Sequence, residues 1–275
     1  MVPRDDGQIN REAYVKRLDH ATATCALAIL VIAGVGTGVK SAVQQKPIRE
    51  VISVKGYRPL LEVVKALEQR YHVAITYEDP PYLDPSELVD VTDLIFRGGH
   101  PSNGVRAFLP RGGPFSFEYS VTPAAGSDQL KDVLTALLRT YRSTPYPHNF
   151  RLLETDGIYN IVPVGRRNKS GTEEAYEAIL SSDVPFVRRG EPRSAYVALQ
   201  DLAETVQRSR GVVVRAGAPA NLLPETKISD PPAHGVARSE LLRILRSTGR
   251  PLTYQVIYDP IFGGRFYIEV DAVPE

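Results

Sequence analysis

The sequence has one cysteine, one methionine and no tryptophan among its 275 residues. Cys25 has no second cysteine with which to form a disulfide, and a zinc site built from several cysteines is excluded. A lipoprotein cysteine follows its apolar run, whereas most of the run here, Ala26–Val35, comes after Cys25. We therefore expect no lipid attachment at Cys25 and no metal or other cofactor.

An excess of charge of either sign is also missing. The formal net charge is +1, from 33 basic and 32 acidic residues. Such a balance produces no overall field that would concentrate a polyanion. Nucleic acid is therefore not an expected partner.

One long uncharged segment stands near the start of the chain, at Ala21–Val39. As a helix rising about 1.5 Å per residue, it is just long enough to cross the apolar core of a bilayer. Arg11, Lys16 and Arg17 precede it, a layout typical of a signal peptide or a signal anchor. The segment therefore predicts attachment to, or export across, a membrane.

The cleavage signal decides between an anchor and a removable signal. Lys40 stands where a cleavage site before Ser41 and Ala42 would have a small residue, so an uncleaved anchor is favoured over cleavage and export. Long downstream domains translocate largely regardless of flanking charge. We expect a bacterial inner-membrane protein whose C-terminal region lies in the periplasm.

Two other interpretations of the same segment remain open. A buried core helix is compatible with its length. Gly34, Gly36 and Gly38 suggest a dinucleotide-binding turn. That fingerprint needs its third glycine three residues after the second, and the residue at that position is Val39. We therefore favour the membrane interpretation.

An internal repeat dominates the rest of the sequence. A shift of 139 positions places the apolar positions of one helix and the strand after it on those of a second helix and strand, for example Leu60 on Leu199 and Ile75 on Val214. A shift of 107 places a later helix and hairpin on another pair, for example Leu134 on Leu241 and Tyr159 on Phe266. Asp156-Gly157 and Gly263-Gly264 are typical hairpin turns.

These patterns predict an α+β fold in which an N-terminal transmembrane or signal helix precedes two duplicated two-layer units. Each unit is expected to have two helices on one face of a small mixed sheet. The predicted parts are a tail and anchor at 1–47, a first domain at 48–164 with an insertion at about 79–120, a linker at 165–173 and a second domain at 174–275.

The helix–strand pattern resembles the short N-terminal domain shared by secretins and TonB-dependent receptors. The residues that carry this resemblance in the first copy are Arg58–Glu68, Val73–Tyr77, Leu130–Leu138 and Tyr159–Pro163, and those in the second copy are Ala198–Ala203 and Glu240–Leu245. The resemblance implies a non-catalytic interaction module of the bacterial envelope. It also implies a protein partner, such as secretion or TonB-type machinery, and a periplasmic setting.

The expected partner-binding surface combines the polar insertion with aromatic and basic residues near the first hairpin. Long loops and exposed aromatic residues beside arginine are typical of binding surfaces. The residues predicted for this surface are Arg97, His100, Arg111, Phe115, Arg142 and Tyr146.

An exported hydrolase or carbohydrate-active enzyme is the alternative function. It would use loop carboxylates together with His100 or His148, assembled from distant segments. The acidic clusters are interpreted as solvated loop charges, and they comprise Glu78-Asp79, Asp84 with Glu87, and Glu173-Glu174. No P-loop, nucleophile-elbow or H-E-x-x-H motif is present.

Overall fold

The computed structural model describes residues 48–96, 106–122, 129–146, 148–186, 188, 190–219, 223, 225–261 and 264–274. Within these ranges the protein is α+β, with five α-helices. The predicted membrane segment Ala21–Val39 lies outside the described residues. In the part that is described, no helix is both long enough and apolar enough to span a membrane.

The first half of the described chain contains three helices and seven strands in a fixed order. They are β1 (Ile48–Gly56), α1 (Pro59–Tyr71), β2 (Ile75–Glu78), β3 (Leu88–Asp90), α2 (Thr92–Phe96), β4 (Phe108–Pro110), β5 (Gly113–Val121), α3 (Leu130–Arg142), β6 (Phe150–Thr155) and β7 (Ile158–Pro163). A 3₁₀ turn, Pro85–Glu87, precedes β3. We refer to β1, α1, β2, β5, α3, β6 and β7 as the first unit.

After three short strands, the second half repeats the order of the first unit, with one extra strand before its second helix. It contains β8 (Gly165–Arg167), β9 (Glu173–Ala175), β10 (Asp183–Pro185), β11 (Arg193–Ser194), α4 (Ala195–Arg210), β12 (Val213–Gly217), β13 (Lys227–Ile228), β14 (His234–Val236), α5 (Ala237–Arg246), β15 (Leu252–Asp259) and β16 (Arg265–Ala272). We refer to β11, α4, β12, β13, α5, β15 and β16 as the second unit.

Local sequence signals account for the ends of the principal helices. Pro59 opens α1, where its missing N–H is not needed, and α1 ends at His72 in the left-handed conformation. Ser194 caps α4 by accepting a hydrogen bond from the Val197 N–H, and Gly211 ends the helix with a φ of 64°. Both helices bury one apolar stripe, as amphipathic spacing predicts.

The hairpin of the first unit has the turn that its sequence predicts. Asp156 and Gly157 have φ values of 53° and 75°, and they lie between the paired residues Thr155 and Ile158. A two-residue turn with positive φ at both positions matches the right-handed twist of the flanking strands. The predicted β6–β7 hairpin is thus present in the structure.

One six-stranded sheet runs through both units, in the order β12-β16-β15-β2-β7-β6. In the first unit β2 is parallel to β7, which is antiparallel to β6. In the second unit β12 is parallel to β16, which is antiparallel to β15. The units meet where β15 pairs in parallel with β2. The separate sheets that the sequence predicts are therefore joined side by side into one.

Strand register relates the two units by the same shifts as the sequence. Ile75 of β2 pairs with Tyr159 of β7, and Val214 of β12 pairs with Phe266 of β16. Val214 lies 139 positions after Ile75, and Phe266 lies 107 positions after Tyr159. The hairpin strands β6 and β15 differ by 104, because the second hairpin turn is three residues longer.

The helices of the two units lie on opposite faces of the sheet. Ile75 and Tyr77 of β2 belong to the apolar core that includes α1 and α3. Val256 of β15 belongs to the core that includes α4 and α5, and it pairs with Glu78 rather than Tyr77. Because adjacent residues of a strand point to opposite faces, the two cores are on opposite sides.

Two segments differ from their sequence assignment as loops. The C-terminal part of the predicted insertion at 79–120 belongs to β5, which pairs antiparallel with β1 along nine residues. The strands β3 and β4, with α2, form a small subdomain with its own apolar cluster around Val91 and Leu109. The predicted linker forms the β8–β9 hairpin. Pairing with the distant strand β1 accounts for β5, since such a pairing is invisible to local composition.

Candidate functional site

The predicted partner surface is only partly a surface. Arg97 and His100 lie outside the described residues. Phe115 is buried, 5% exposed, and its ring packs edge-on against Tyr141 with 5.5 Å between ring centres. Phe115 is therefore a core residue, because alternate residues of β5 face the helices.

Arg111 and Tyr146 are held by hydrogen bonds to the backbone. Arg111 is exposed, and its Nε and Nη2 donate to the carbonyls of Ser86 and Leu88 at 2.8 and 3.2 Å. Tyr146 donates its hydroxyl to the Pro114 carbonyl at 2.6 Å. Arg111 thus links two parts of the insertion, and Tyr146 links the segment after α3 to β5.

Arg142 remains an exposed residue at the end of α3. Its neighbour Tyr141 stacks on Tyr146, with 5.8 Å between ring centres. The structure therefore gathers Phe115 and Tyr146 around Tyr141, and it places Arg111 beside β3 instead.

The polar residues that the structure does bring together lie where the two units meet. Asp79, 1% exposed, accepts hydrogen bonds from the Tyr77 and Tyr82 hydroxyls on Oδ1, at 2.8 and 3.1 Å. Its Oδ2 accepts from Arg58 Nε at 2.6 Å and from the Tyr258 N–H at 3.0 Å. Four donors therefore satisfy this buried carboxylate, and one of them belongs to the second unit.

Arg58 completes the connection. Its Nη2 donates to the Tyr258 carbonyl at 2.7 Å, so the guanidinium binds both Asp79 and the β15 backbone. A buried charge needs such a partner together with further hydrogen bonds. Arg58 and Asp79 thus form an ion pair on the first unit's side of the contact, and each of them also bonds the β15 backbone of the second unit.

A second ion pair does cross from one unit to the other. Arg238 of α5 donates from Nε and Nη2 to Oε1 of Glu78, at 2.9 and 2.6 Å. Burial raises the pKa of Glu78, and the positive charge of Arg238 opposes that rise. Arg238 Nη2 also donates to the Ser181 hydroxyl at 3.1 Å. We use the name polar seam for Arg58, Glu78, Asp79, Arg238 and Tyr258.

A hydrogen-bonded cluster lies beside the polar seam. Asn160 Oδ1 accepts from the hydroxyls of Thr76 and Tyr254, at 2.7 and 3.3 Å. Tyr254 belongs to β15, whereas Thr76 and Asn160 belong to β2 and β7. Buried polar groups with satisfied partners favour one register, so this cluster reinforces the joint between the sheets.

Glu87 and His148 form a buried pair of a different kind. Glu87 Oε1 lies 3.4 Å from His148 Nε2, and the residues are 1% and 5% exposed. Neither side chain has a hydrogen-bond partner among the described residues. Burial raises the pKa of Glu87 to about 7. Burial, with the positive charge of Arg167, lowers the pKa of His148 to about 4.

The interpretation of the acidic clusters as solvated charges is wrong for Glu78, Asp79, Asp84 and Glu87, which are 0%, 1%, 8% and 1% exposed. Glu173 and Glu174 do lie at or near the surface, and Glu174 accepts from Arg166 Nε at 2.6 Å. A usable signal was the position of Glu78, the only charged residue of the strand β2. Its partner Arg238 is 160 positions away, which no local pattern indicates.

Among the residues that the structure describes, no group of three or more histidine, cysteine, aspartate or glutamate side chains is placed so that it could hold a metal ion. Comparisons with models of known protein families, with curated proteins and with solved structures find no match to this chain.

Proposed function

We propose that this protein is a non-enzymatic interaction or assembly module of the bacterial envelope, tethered to the inner membrane by Ala21–Val39. In this proposal the two units are duplicated copies of a domain similar to the short N-terminal domain of secretins and TonB-dependent receptors. They lie in the periplasm and bind another envelope protein.

The proposal rests on one observation: the buried polar residues between the units bond one another and the backbone of the neighbouring strand. Asp79 and Arg58 bond each other and the β15 backbone, and Glu78 bonds Arg238. These bonds join two small units into one sheet instead of lining a cleft. A rigid double unit whose buried charges serve cohesion supports a role carried by its outer surfaces.

The equivalence of the units supports their origin by duplication. Each has a strand parallel to the second strand of a hairpin, two helices on one face and a separate two-stranded pair, β1–β5 or β11–β13. Gene duplication predicts the same strand register in both copies. The equivalent pairs Ile75–Tyr159 and Val214–Phe266 have that common register.

The pair formed by Glu87 and His148 favours the exported hydrolase as a second candidate. A carboxyl group with a raised pKa beside a neutral imidazole is an arrangement that acid–base catalysis uses. Both side chains are almost completely buried, however, so a substrate has no access to these atoms in this conformation. The interaction role therefore has the better support.

Topology is the first experimental test. A reporter enzyme that folds only outside the cytoplasm is fused to the C-terminus of the full chain, and the membranes are then isolated. We expect an active reporter in the inner-membrane fraction. An inactive reporter, or a chain found wholly in the cytoplasmic fraction, would contradict the proposed location.

The second test addresses the partner and the alternative activity. The full chain and the variant Arg142→Glu are compared in cross-linking from intact cells, with Arg139→Glu on the same helix as the matched control. We expect Arg142→Glu to lose a specific cross-linked partner that the control retains. The hydrolase alternative predicts instead an activity on glycan or ester substrates that Glu87→Gln abolishes.

A further inference from the structure

The joint between the two units is a heterologous contact, because β15 of one unit binds β2 of the other. β2 runs antiparallel to its equivalent β12, since β15 is antiparallel to the parallel pair β12 and β16. The helices also lie on opposite faces. A half-turn about an axis along the sheet, combined with a translation, therefore relates the units. Repetition of such a contact does not close and produces a filament.

The two outer strands of the sheet are the equivalents of the strands that form this joint. By the strand register, β6 corresponds to β15 and β12 corresponds to β2. No described strand pairs with the outer edge of β6 or of β12. An open edge strand is a template on which another chain can add. A second copy of this chain thus carries, in β6, the equivalent of the strand that joins β2.

Two glutamines of α4 occupy the β12 edge. Gln207 Oε1 accepts from the Val214 N–H at 3.2 Å, and Gln200 Nε2 donates to the Ala216 carbonyl at 3.0 Å. By the shift of 139, Ala216 corresponds to Tyr77, which pairs with Gln255 of β15. Gln200 therefore bonds the backbone at the position where the internal joint has a strand.

Gln200 is the part of this arrangement that the first unit lacks. Glu68, the equivalent of Gln207, also accepts the N–H of its strand, from Ile75 at 2.8 Å, and β2 nevertheless pairs with β15. The equivalent of Gln200 is Leu61, which is buried in the first core and offers no amide. The presence of an amide at position 200 thus separates the closed edge from the joined edge.

Three residues of the polar seam also have no equivalent at the β12 edge. Gly217 and Ala218 stand at the positions equivalent to Glu78 and Asp79, and Val197 stands where the first unit has Arg58. The β12 edge therefore lacks the buried charges that secure the internal joint. Val213 leaves 39% of its surface exposed on this strand.

We propose that Gln200 is a blocking residue, which closes the β12 edge against the β6 strand of a second copy and so ends the sheet at two units. Removal of its amide exposes the Ala216 carbonyl and permits head-to-tail association through β6 and β12. This inference concerns the sheet edges alone and does not depend on the envelope role.

The test compares the full chain with the variant Gln200→Leu, which has the residue found at position 61. Both are kept in the same mild detergent, and sedimentation velocity is measured over a wide range of protein concentration. We expect the sedimentation coefficient of Gln200→Leu to rise with concentration while that of the wild type stays constant. The matched control Gln207→Glu, which has the residue found at position 68, is expected to behave like the wild type.

A second variant identifies the opposite edge. Because the Val164 N–H donates to the Asn149 carbonyl, the alternation of the β6–β7 ladder turns the Leu152 N–H outward. Leu152→Pro in the Gln200→Leu background removes that donor without removing a β6–β7 bond. We expect the association to disappear, with an unchanged circular dichroism spectrum as the check on folding.

Three outcomes overturn the proposal. The first is a folded Gln200→Leu variant that sediments like the wild type at every concentration. The second is association of the wild type itself to the same extent. The third is association of Gln200→Leu that a folded Leu152→Pro double variant retains, since β6 would then not be the strand that is added.

Discussion

Glu68 and Gln207 bond the same backbone group in the two units. Glu68 Oε1 accepts the Ile75 N–H at 2.8 Å, and Gln207 Oε1 accepts the Val214 N–H at 3.2 Å. The two positions differ by 139, the shift that relates the two helix–strand pairs. The first unit thus accepts this N–H with a titratable carboxyl group, and the second unit accepts it with a neutral amide. Only the first arrangement makes the free energy of unfolding depend on pH.

We predict that Glu68→Gln stabilises the protein at alkaline pH. Burial raises the pKa of Glu68 to about 7 from an ordinary 4.5. A raised carboxyl pKa means that stability is greatest below about 4.5 and declines as pH rises through about 7. Since one pKa unit corresponds to about 1.4 kcal/mol, the variant should gain up to about 3 kcal/mol at pH 8.

Urea denaturation at pH 5 and pH 8 measures this effect. The gain should be present at pH 8 and largely absent at pH 5, where Glu68 is mostly protonated in the fold. The matched control Gln207→Glu should show the reverse, a loss that grows with pH. A gain of the same size at both pH values would contradict the assigned titration.

We predict that Asp79→Asn is strongly destabilising. The substitution removes the charge that pairs with Arg58 and leaves that guanidinium buried beside the Tyr258 carbonyl. Loss of one partner of a buried ion pair costs about 3–5 kcal/mol. The free energy of unfolding from urea denaturation provides the measurement.

An exposed aspartate provides the control for Asp79. Asp90 pairs with Arg106 at the surface, where the Arg106 side chain is 65% exposed. Asp90→Asn should change the free energy of unfolding by no more than about 1 kcal/mol, because exposed pairs contribute little. Similar losses for both variants would show that Asp79 is not a special connection between the units.

The buried pair of Glu87 and His148 should make stability depend on pH in two directions. The lowered pKa of His148, about 4, means that stability is lost as pH falls from about 6.5 towards 4. The raised pKa of Glu87, about 7, means that stability is lost as pH rises from about 4.5 towards 7. The two effects oppose each other between about pH 4.5 and 6.5, where the folded protein has a neutral His148 and a protonated Glu87, so the wild type should show a plateau of stability there.

Single substitutions separate the two directions. In thermal melting temperatures measured from pH 4 to pH 8, His148→Gln should uncover the full effect of Glu87, a loss of stability as pH rises from about 4.5 towards 7. Glu87→Gln should uncover the full effect of His148, a loss of stability as pH falls from about 6.5 towards 4. His72→Gln, at an exposed histidine, is the control and should leave the profile unchanged. Identical profiles for the wild type and both variants would exclude the pair as a source of pH dependence.

We predict that Gly112→Ala destabilises the first unit. A Cβ at Gly112 would meet the Gly56 carbonyl oxygen and would lie 2.7 Å from backbone atoms of Tyr57. Backbone cannot move aside as a side chain can, so a loss of about 1–3 kcal/mol is expected. Gly217→Ala is the control, since nothing lies within 4 Å of a Cβ there. Equal melting temperatures for the two variants would contradict the close approach.

The candidate site was much less accessible to prediction than the elements around it. Phe115 belonged to the predicted partner surface but lies in the core, because the pairing of β5 with β1 sets which of its residues face inward. Glu78 and Asp79 have the composition of a solvated turn. Their partners Arg238 and Tyr258 are 160 and 179 positions away, beyond the reach of any local pattern.

The sequence by itself determined the four long helices, the strands that follow them, the Asp156-Gly157 hairpin and the two shifts that relate the units. Helical periodicity and turn chemistry act over a few residues, so they can be recognised without the fold. Only the tertiary structure decided that β15 joins β2, that the helices cover opposite faces and that the carboxylates of the polar seam are buried. These features arise when chain segments far apart in sequence meet, and burial there depends on the partner that each polar group finds.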